Sequence, residues 1–269
     1  MNVDTTLIEQ HMLEQDDDGD TLLHLLVIDG QYDLVRALLS CAQRGSVLSY
    51  VLTKRNSLHQ TPIFIATAAG DLKMVRLLTS SAMRFNHLGY ADMKRTLMLG
   101  NYRLLTPLHV ACKQRRTDII EHFFSLGVCL CESEEASVTY SADGALPIHL
   151  LLPTREEYST FKKKLVVHEV IRHVCVRCPH SLTRGDGVSG RTFIHMCVNS
   201  GYWDTLCIVG EYIDLDRFHA SKLKDFAGHF WERTGKRLVL EEEDDEQEHI
   251  RADLVAAFND FTISGVPVT

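Results

Sequence analysis

One short pattern recurs along the chain and limits its fold more than any other feature. It reads TLLHLL (Thr21–Leu26), TPIFIA (Thr61–Ala66), TPLHVA (Thr106–Ala111), LPIHLL (Leu146–Leu151) and TFIHMC (Thr192–Cys197), with a degenerate sixth copy, HFWERT (His229–Thr234). The fourth position holds His24, Phe64, His109, His149, His195 and Glu232. Six residues after it come Gly30, Gly70, Arg115 and Gly201. Eleven after it come Val35, Val75, Ile120 and Leu206, and fourteen after it Leu38, Leu78, Phe123 and Val209. Apolar residues at these offsets, on either side of a turn, predict two short antiparallel helices per repeat. Glycine midway suits the left-handed conformation at a helix end, where a side chain would obstruct the turn.

The Thr-Pro-Leu-His core and the paired helices resemble the ankyrin repeat, whose period is about 33 residues. The resemblance covers residues 18–261 and implies an all-α ankyrin-repeat solenoid of about six helix-turn-helix units carrying β-hairpin or loop fingers. The repeats start near 18, 58, 103, 143, 189 and 226, in one domain between an acidic lead-in (1–17) and a tail (262–269). Spacings above the family period place extra length in loops at 43–57, 82–103, 129–143, 178–189 and 214–227. In the fourth repeat the extra length follows Pro153, between the helices, and the second helix is expected from Lys162 to Val176. The resemblance also implies that Thr and His bond to backbone between neighbouring turns, so four equivalent histidines are a structural set and not a metal or catalytic one.

Charge narrows the partner class. The formal net charge is −8. Residues 14–20 hold five acids and 241–248 hold seven, with no Lys or Arg in either stretch. The rest of the chain is therefore mildly basic. An acidic balance argues against direct nucleic-acid binding, which needs a strong basic face. No apolar run approaches the roughly 18–20 residues that span a bilayer. The acidic N-terminus lacks the basic flank of a signal peptide. Eight cysteines without a secretory signal point to reduced thiols in the cytosol or nucleus.

The first two repeats are more specific. DGDTLLHLL (Asp18–Leu26), followed about 40 residues later by NSLHQTPIFIA (Asn56–Ala66), is similar to the inhibitor-of-NF-kappaB (IkB) family, nuclear members included. Asn56, Leu58, Gln60, Thr61 and Pro62 match that family, and Phe64 replaces its His. The resemblance implies a non-enzymatic regulator that binds Rel-homology transcription factors and modulates their localisation or activity, in the cytoplasm or nucleus, as a monomer or in a heterocomplex. No serine precedes Ser40, so the family's N-terminal phosphodegron is missing from this sequence. A constitutive inhibitor or nuclear-type cofactor fits better than a signal-degraded one. The alternative is a generic ankyrin adaptor in intracellular signalling with no Rel partner.

Contacts are expected from finger tips and inner-helix faces: Asp17, Asp18, Asp20, Gln31, Gln60, Asp71, Gln114, Arg115, Asn199, Tyr202 and Trp203. The acidic run Glu241, Glu242, Glu243, Asp244 and Asp245 is either a docking surface for a basic partner or a solvated helix start. Asp16 to Asp20 is likewise either an attractor for a basic peptide or a helix-capping lead-in. Tyr202 and Trp203 either anchor a partner or cover the helix junction.

No cofactor is expected. Cys175 and Cys178, with Cys129 and Cys131 and His180 nearby, offer thiolates for zinc, but their spacing is unconvincing and buried thiols are the simpler reading. The glycine-rich stretch 185–190 has no preceding strand to make it a phosphate loop. Lys162 to Lys164 is either a weak import signal or a solvated helix face.

Overall fold

The computed structural model describes residues 10–42, 45–83, 89–128, 140–153 and 161–212. The chain divides into two compact units: Met1–Pro153 with Arg184–Gly190, and Thr154–Thr183 with Arg191–Thr269.

In the first unit the expected helix pairs form. They are α1 (Leu22–Ile28) with α2 (Tyr32–Cys41), α4 (Pro62–Ala69) with α5 (Leu72–Ala82), and α7 (Pro107–Gln114) with α8 (Thr117–Ser125). The fourth repeat opens with a 3-10 helix, Pro147–Leu151. Inner helices stack in the order α1, α4, α7 and 3-10 helix, and outer helices in the order α2, α5, α8. Buried side chains fall where the repeat places them: Val35, Val75 and Ile120 are fully buried, as is Phe123, with Leu38 and Leu78 beside them.

Two of the inner helices, α4 and α7, start in the same way. Thr61 Oγ1 accepts the Phe64 N–H, and Thr106 Oγ1 accepts the His109 N–H at 3.4 Å. The helices then end on left-handed residues. Gly30, Gly70 and Arg115 have φ of 66°, 71° and 57°. At Gly70 a Cβ would also meet the Arg116 guanidinium at 1.8 Å, but that is the end of a flexible side chain and can move, so it is the backbone conformation that calls for glycine there. Arg115 holds the same conformation against the steric cost a β-carbon imposes. Arg115→Gly is therefore expected to stabilise the protein by about 1 kcal/mol, read as a higher urea midpoint with an unchanged slope.

The β-hairpin fingers expected from the sequence are not what forms. Among the described residues there is no β-strand, and two of the long connections are helices: α3 (Gly45–Thr53) and α6 (Gly89–Met98). Val47, Leu48, Val51 and Leu52 are buried on α3, and Met93 and Leu97 on α6. These helices pack on each other and on α4 and α5. Their apolar residues recur at helical spacing, so burying a helical stripe satisfies backbone and side chains together where a hairpin would expose them. Of the expected loop at 129–143, residues 129–139 lie outside the described residues, as does the whole of 214–227.

The second unit holds α9 (Phe161–Arg177), α10 (His180–Thr183), α11 (Phe193–Ser200) and α12 (Trp203–Tyr212). The long α9 matches the helix expected from Lys162 to Val176. It buries Val167, Val170, Ile171 and Val174, one helical stripe. The α9 helix packs on α12, and α11 pairs with α12 through a left-handed Gly201 (φ 70°). Thr192 Oγ1 caps α11 by accepting the His195 N–H at 3.2 Å. The sixth repeat lies outside the described residues.

Candidate protein-binding surface

Before each inner helix of the first unit the chain makes the same five-residue turn, closed by a short polar side chain. In the first, the Asp18 and Asp20 N–H groups donate to Asp16 Oδ1 at 3.1 and 2.8 Å. In the second, Leu58 and Gln60 donate to Asn56 Oδ1 at 3.1 and 2.9 Å. In the third, Arg103 and Leu105 donate to Asn101 Oδ1, both at 3.0 Å. In the fourth, Ala145 donates to Ser141 Oγ at 3.0 Å. A backbone bond closes each turn from its first N–H to its fifth carbonyl, at 2.9–3.0 Å. The fourth residue is left-handed each time: Gly19, His59, Leu104 and Gly144.

Neighbouring turns are tied together. Ser57 N–H donates to the Asp18 carbonyl at 2.9 Å, Tyr102 to Leu58 at 3.3 Å, Ala142 to Arg103 at 2.8 Å, and Gly187 to Gly144 at 2.8 Å. Asn56 Nδ2 adds a side-chain bond to Asp20 Oδ1 at 2.9 Å. The result is a row of rigid tips with outward side chains. Leu58 (54% exposed), Tyr102 (62%), Leu104 (56%) and Val188 (78%) project from it. Arg103 and Asp143 pair across two tips at 3.7 Å, both largely in solvent. Pre-ordered apolar side chains with charged neighbours suit a protein partner, because little entropy is lost on docking. Asn56→Ala orphans two N–H groups and the Asp20 link, and is expected to cost about 1–2 kcal/mol in urea unfolding.

Residues expected from the sequence separate into distinct settings. Asp17 and Asp18 are exposed on the first tip. Asp20 is half-buried and held by Asn56. Gln60 is half-buried too, and its carbonyl accepts the His24 Nε2–H at 3.1 Å. Gln31, Asp71, Gln114 and Arg115 lie at the other end of the inner helices, ~11 Å away by helical rise. Gln31 is exposed, while Asp71 caps α5 by accepting the Met74 N–H at 2.9 Å. Gln114 Nε2 donates to the Ala68 carbonyl at 2.9 Å, and Arg115 is half-buried. In the second unit Asn199 is exposed, Trp203 half-buried, and Tyr202 only 3% exposed beneath the helix junction. Glu241 to Asp245 lie outside the described residues.

The turn tips themselves, Leu58, Tyr102, Arg103, Leu104 and Val188, escaped the sequence reading. Their signal was present: Asp16, Asn56, Asn101 and Ser141 each stand five residues before the opening Thr or Leu. A short polar residue there is an Asx-type turn former.

The cysteines are poorly placed for chemistry. Cys175 and Cys178 are buried near the end of α9, and burial pushes the Cys175 thiol up to about 12, away from the thiolate a metal or redox partner needs. Cys129 and Cys131 lie outside the described residues. Among the described residues no group of three or more His, Cys, Asp or Glu side chains is arranged to hold a metal ion. No described helix is long and apolar enough to cross a membrane.

Comparison with known proteins agrees with the fold. The sequence profile for ankyrin repeats, in three copies, matches residues 3–88. The ankyrin-repeat domain of Bcl-3, described as a unique member of the IkappaB protein family, superposes with a TM-score of 0.55, covering 79% of this chain and 82% of that one at 19% identity. The fold is an ankyrin-repeat solenoid. An ankyrin-repeat domain from Acinetobacter baumannii fits equally well, with a TM-score of 0.56, 13% identity, and coverage of 78% of this chain and 92% of that one. The nuclear factor NF-kappa-B p105 subunit of Rattus norvegicus is 30% identical over 138 residues, which are 51% of this chain and 12% of that protein. Ankyrin repeats are non-catalytic interaction modules, and the repeats matched at residues 3–88 are of that kind.

Proposed function

We propose that this ankyrin-repeat protein is an IkB-like regulator that binds Rel-homology transcription factors and modulates their localisation or activity in the cytoplasm and nucleus. The observation that carries this reading is the first turn. Asp17 and Asp18 are exposed on a tip that is fastened to the next by the Ser57–Asp18 backbone bond and the Asn56–Asp20 side-chain bond. A fixed pair of carboxylates at the edge of the array attracts a basic segment without paying to be ordered first. Support also comes from the DGDTLLHLL and NSLHQTP segments, from the fold shared with Bcl-3, and from the 30% identity to the p105 subunit.

The test is co-purification of the full chain with a purified Rel-homology dimer at low salt. Binding is expected, and Asp17→Lys with Asp18→Lys should weaken it about tenfold, an effect that fades as salt screens the charges. No complex at micromolar concentrations with any Rel-homology dimer sinks the proposal. A second reading, an adaptor for an unrelated intracellular partner, is favoured by one observation: the bacterial domain superposes as well as Bcl-3 does. Affinity purification from the native organism, with identification of what is retained, separates the two.

A further inference from the structure

On the opposite side of the first unit from its inner helices, α2, α5 and α8 leave an open groove of about 650 Å³. Its apolar lining is Leu72, Leu77, Met83 and Leu126. Lys73 and Arg76 border it on α5, and His122 lines it from α8. No Asp or Glu is among its lining residues. Lys73 Nζ sits 3.8 Å from the centre of the Tyr32 ring, and neither Lys73 nor Arg76 forms an ion pair with a carboxylate among the described residues. The His122 ring is hydrogen-bonded to Thr79 Oγ1 at 3.0 Å, which fixes that wall. In a chain of net charge −8, an apolar groove bordered only by cationic or neutral side chains has a definite complement.

We infer that this groove is a second docking surface, for an acidic peptide segment of a partner protein. Its carboxylates would meet Lys73 and Arg76, and an apolar side chain would rest on Leu72, Leu77 and Leu126. The shape favours a peptide over a small molecule. Small-molecule sites enclose most of their ligand, whereas this groove is open and crosses three helices. At ~10 Å between neighbouring helices it spans ~20 Å, the reach of about six extended residues. The surface is separate from the turn tips, so two partners, or two segments of one, can bind together.

The experiment pans the full chain against a displayed library of random peptides of about twelve residues, then measures each recovered peptide against variants. Recovered sequences are expected to combine Asp or Glu with Leu or Phe. They should lose about tenfold or more in affinity for the Lys73→Glu, Arg76→Glu double variant. They should bind the Asp17→Lys, Asp18→Lys protein as tightly as the parent, which keeps this result distinct from the Rel-factor test. Lys73 and Arg76 are exposed, so an unchanged thermal midpoint confirms that the double variant folds. Recovery of basic peptides, equal affinity for the double variant, or no peptide at all overturns the inference. So does saturable binding of sodium decanoate or inorganic phosphate in the absence of any acidic peptide, which would assign the groove to a small anion.

Discussion

Replacing His109 with alanine is expected to cost about 3 kcal/mol of folding free energy, the largest effect of any single substitution considered. The ring is fully buried and works on two repeats at once. Its Nδ1 accepts the Thr106 backbone N–H at 3.2 Å and lies 2.8 Å from Thr106 Oγ1, completing the start of α7. Its Nε2–H donates to the carbonyl of Ala145 at 3.1 Å, in the next turn along the array. Alanine leaves an N–H without a partner, removes the link between repeats and opens a cavity. In an array stabilised by nearest-neighbour contacts, the loss falls on the coupling between α7 and the 3-10 helix. The second repeat supplies the control. Phe64 fills the equivalent space at 3% exposure, and the Leu105 carbonyl still receives the Asn101 N–H. His109→Phe is therefore expected to cost about 1–2 kcal/mol, less than alanine. Urea unfolding of both variants measures the difference, and a loss below about 1 kcal/mol for alanine would show that the ring does not couple the repeats.

Acid is expected to destabilise the protein between pH 6.5 and 4, a loss that begins well above the range in which carboxylates titrate. Burial is the largest cause holding His109 at about 4, against an ordinary 6.5, and the neighbouring His149 pushes the same way. Burial also depresses His24 and His149, although the Gln60 carbonyl and Asp20 oppose the shift at His24. The folded state keeps these rings neutral, while the unfolded chain takes up a proton near 6.5. The unfolded state therefore binds more protons across this window, and stability falls as pH falls. Stability is complete above about 6.5, and the His109 contribution is exhausted near 4. For His109 alone the shift corresponds to about 3 kcal/mol. The geometry gives the reason: Nδ1 already faces two donors of Thr106, and a second ring proton would point at them. Asp118 and Asp186, both held below the ordinary 3.8, add losses only at lower pH. Urea midpoints at pH 7.5, 5.5 and 4 should decline steadily, and His109→Phe should flatten the decline. A midpoint constant from 7.5 to 4 would refute the assignment.

How much of this was legible beforehand follows from the range of each interaction. Thr106 caps a helix three residues away, and Gly30, Gly70, Arg115 and Gly201 end helices whose last carbonyls lie within five residues. Such contacts are local, so a string of residues displays them. The same holds for α9, where apolar spacing marked a helix within a residue of its observed ends. The turn tips were legible in principle too, since Asp16, Asn56, Asn101 and Ser141 all accept from the N–H four residues on.

What the sequence by itself determined is the repeat: helix starts, left-handed helix ends, the buried histidines and the apolar stripe of each helix. Tertiary structure decided the rest. Residues 45–53 and 89–98 became helices because each had another helix and the α4–α5 pair to bury against, which no local rule supplies. Asp20, expected as a partner contact, is held by Asn56 from 36 residues away. Tyr202 was drawn under a helix junction, while Tyr102 was left outside. The groove beside Lys73 and Arg76 exists only where three outer helices stack. Stacking brings together groups tens of residues apart, and their meeting depends on how the repeats pack and not on any residue's own preference.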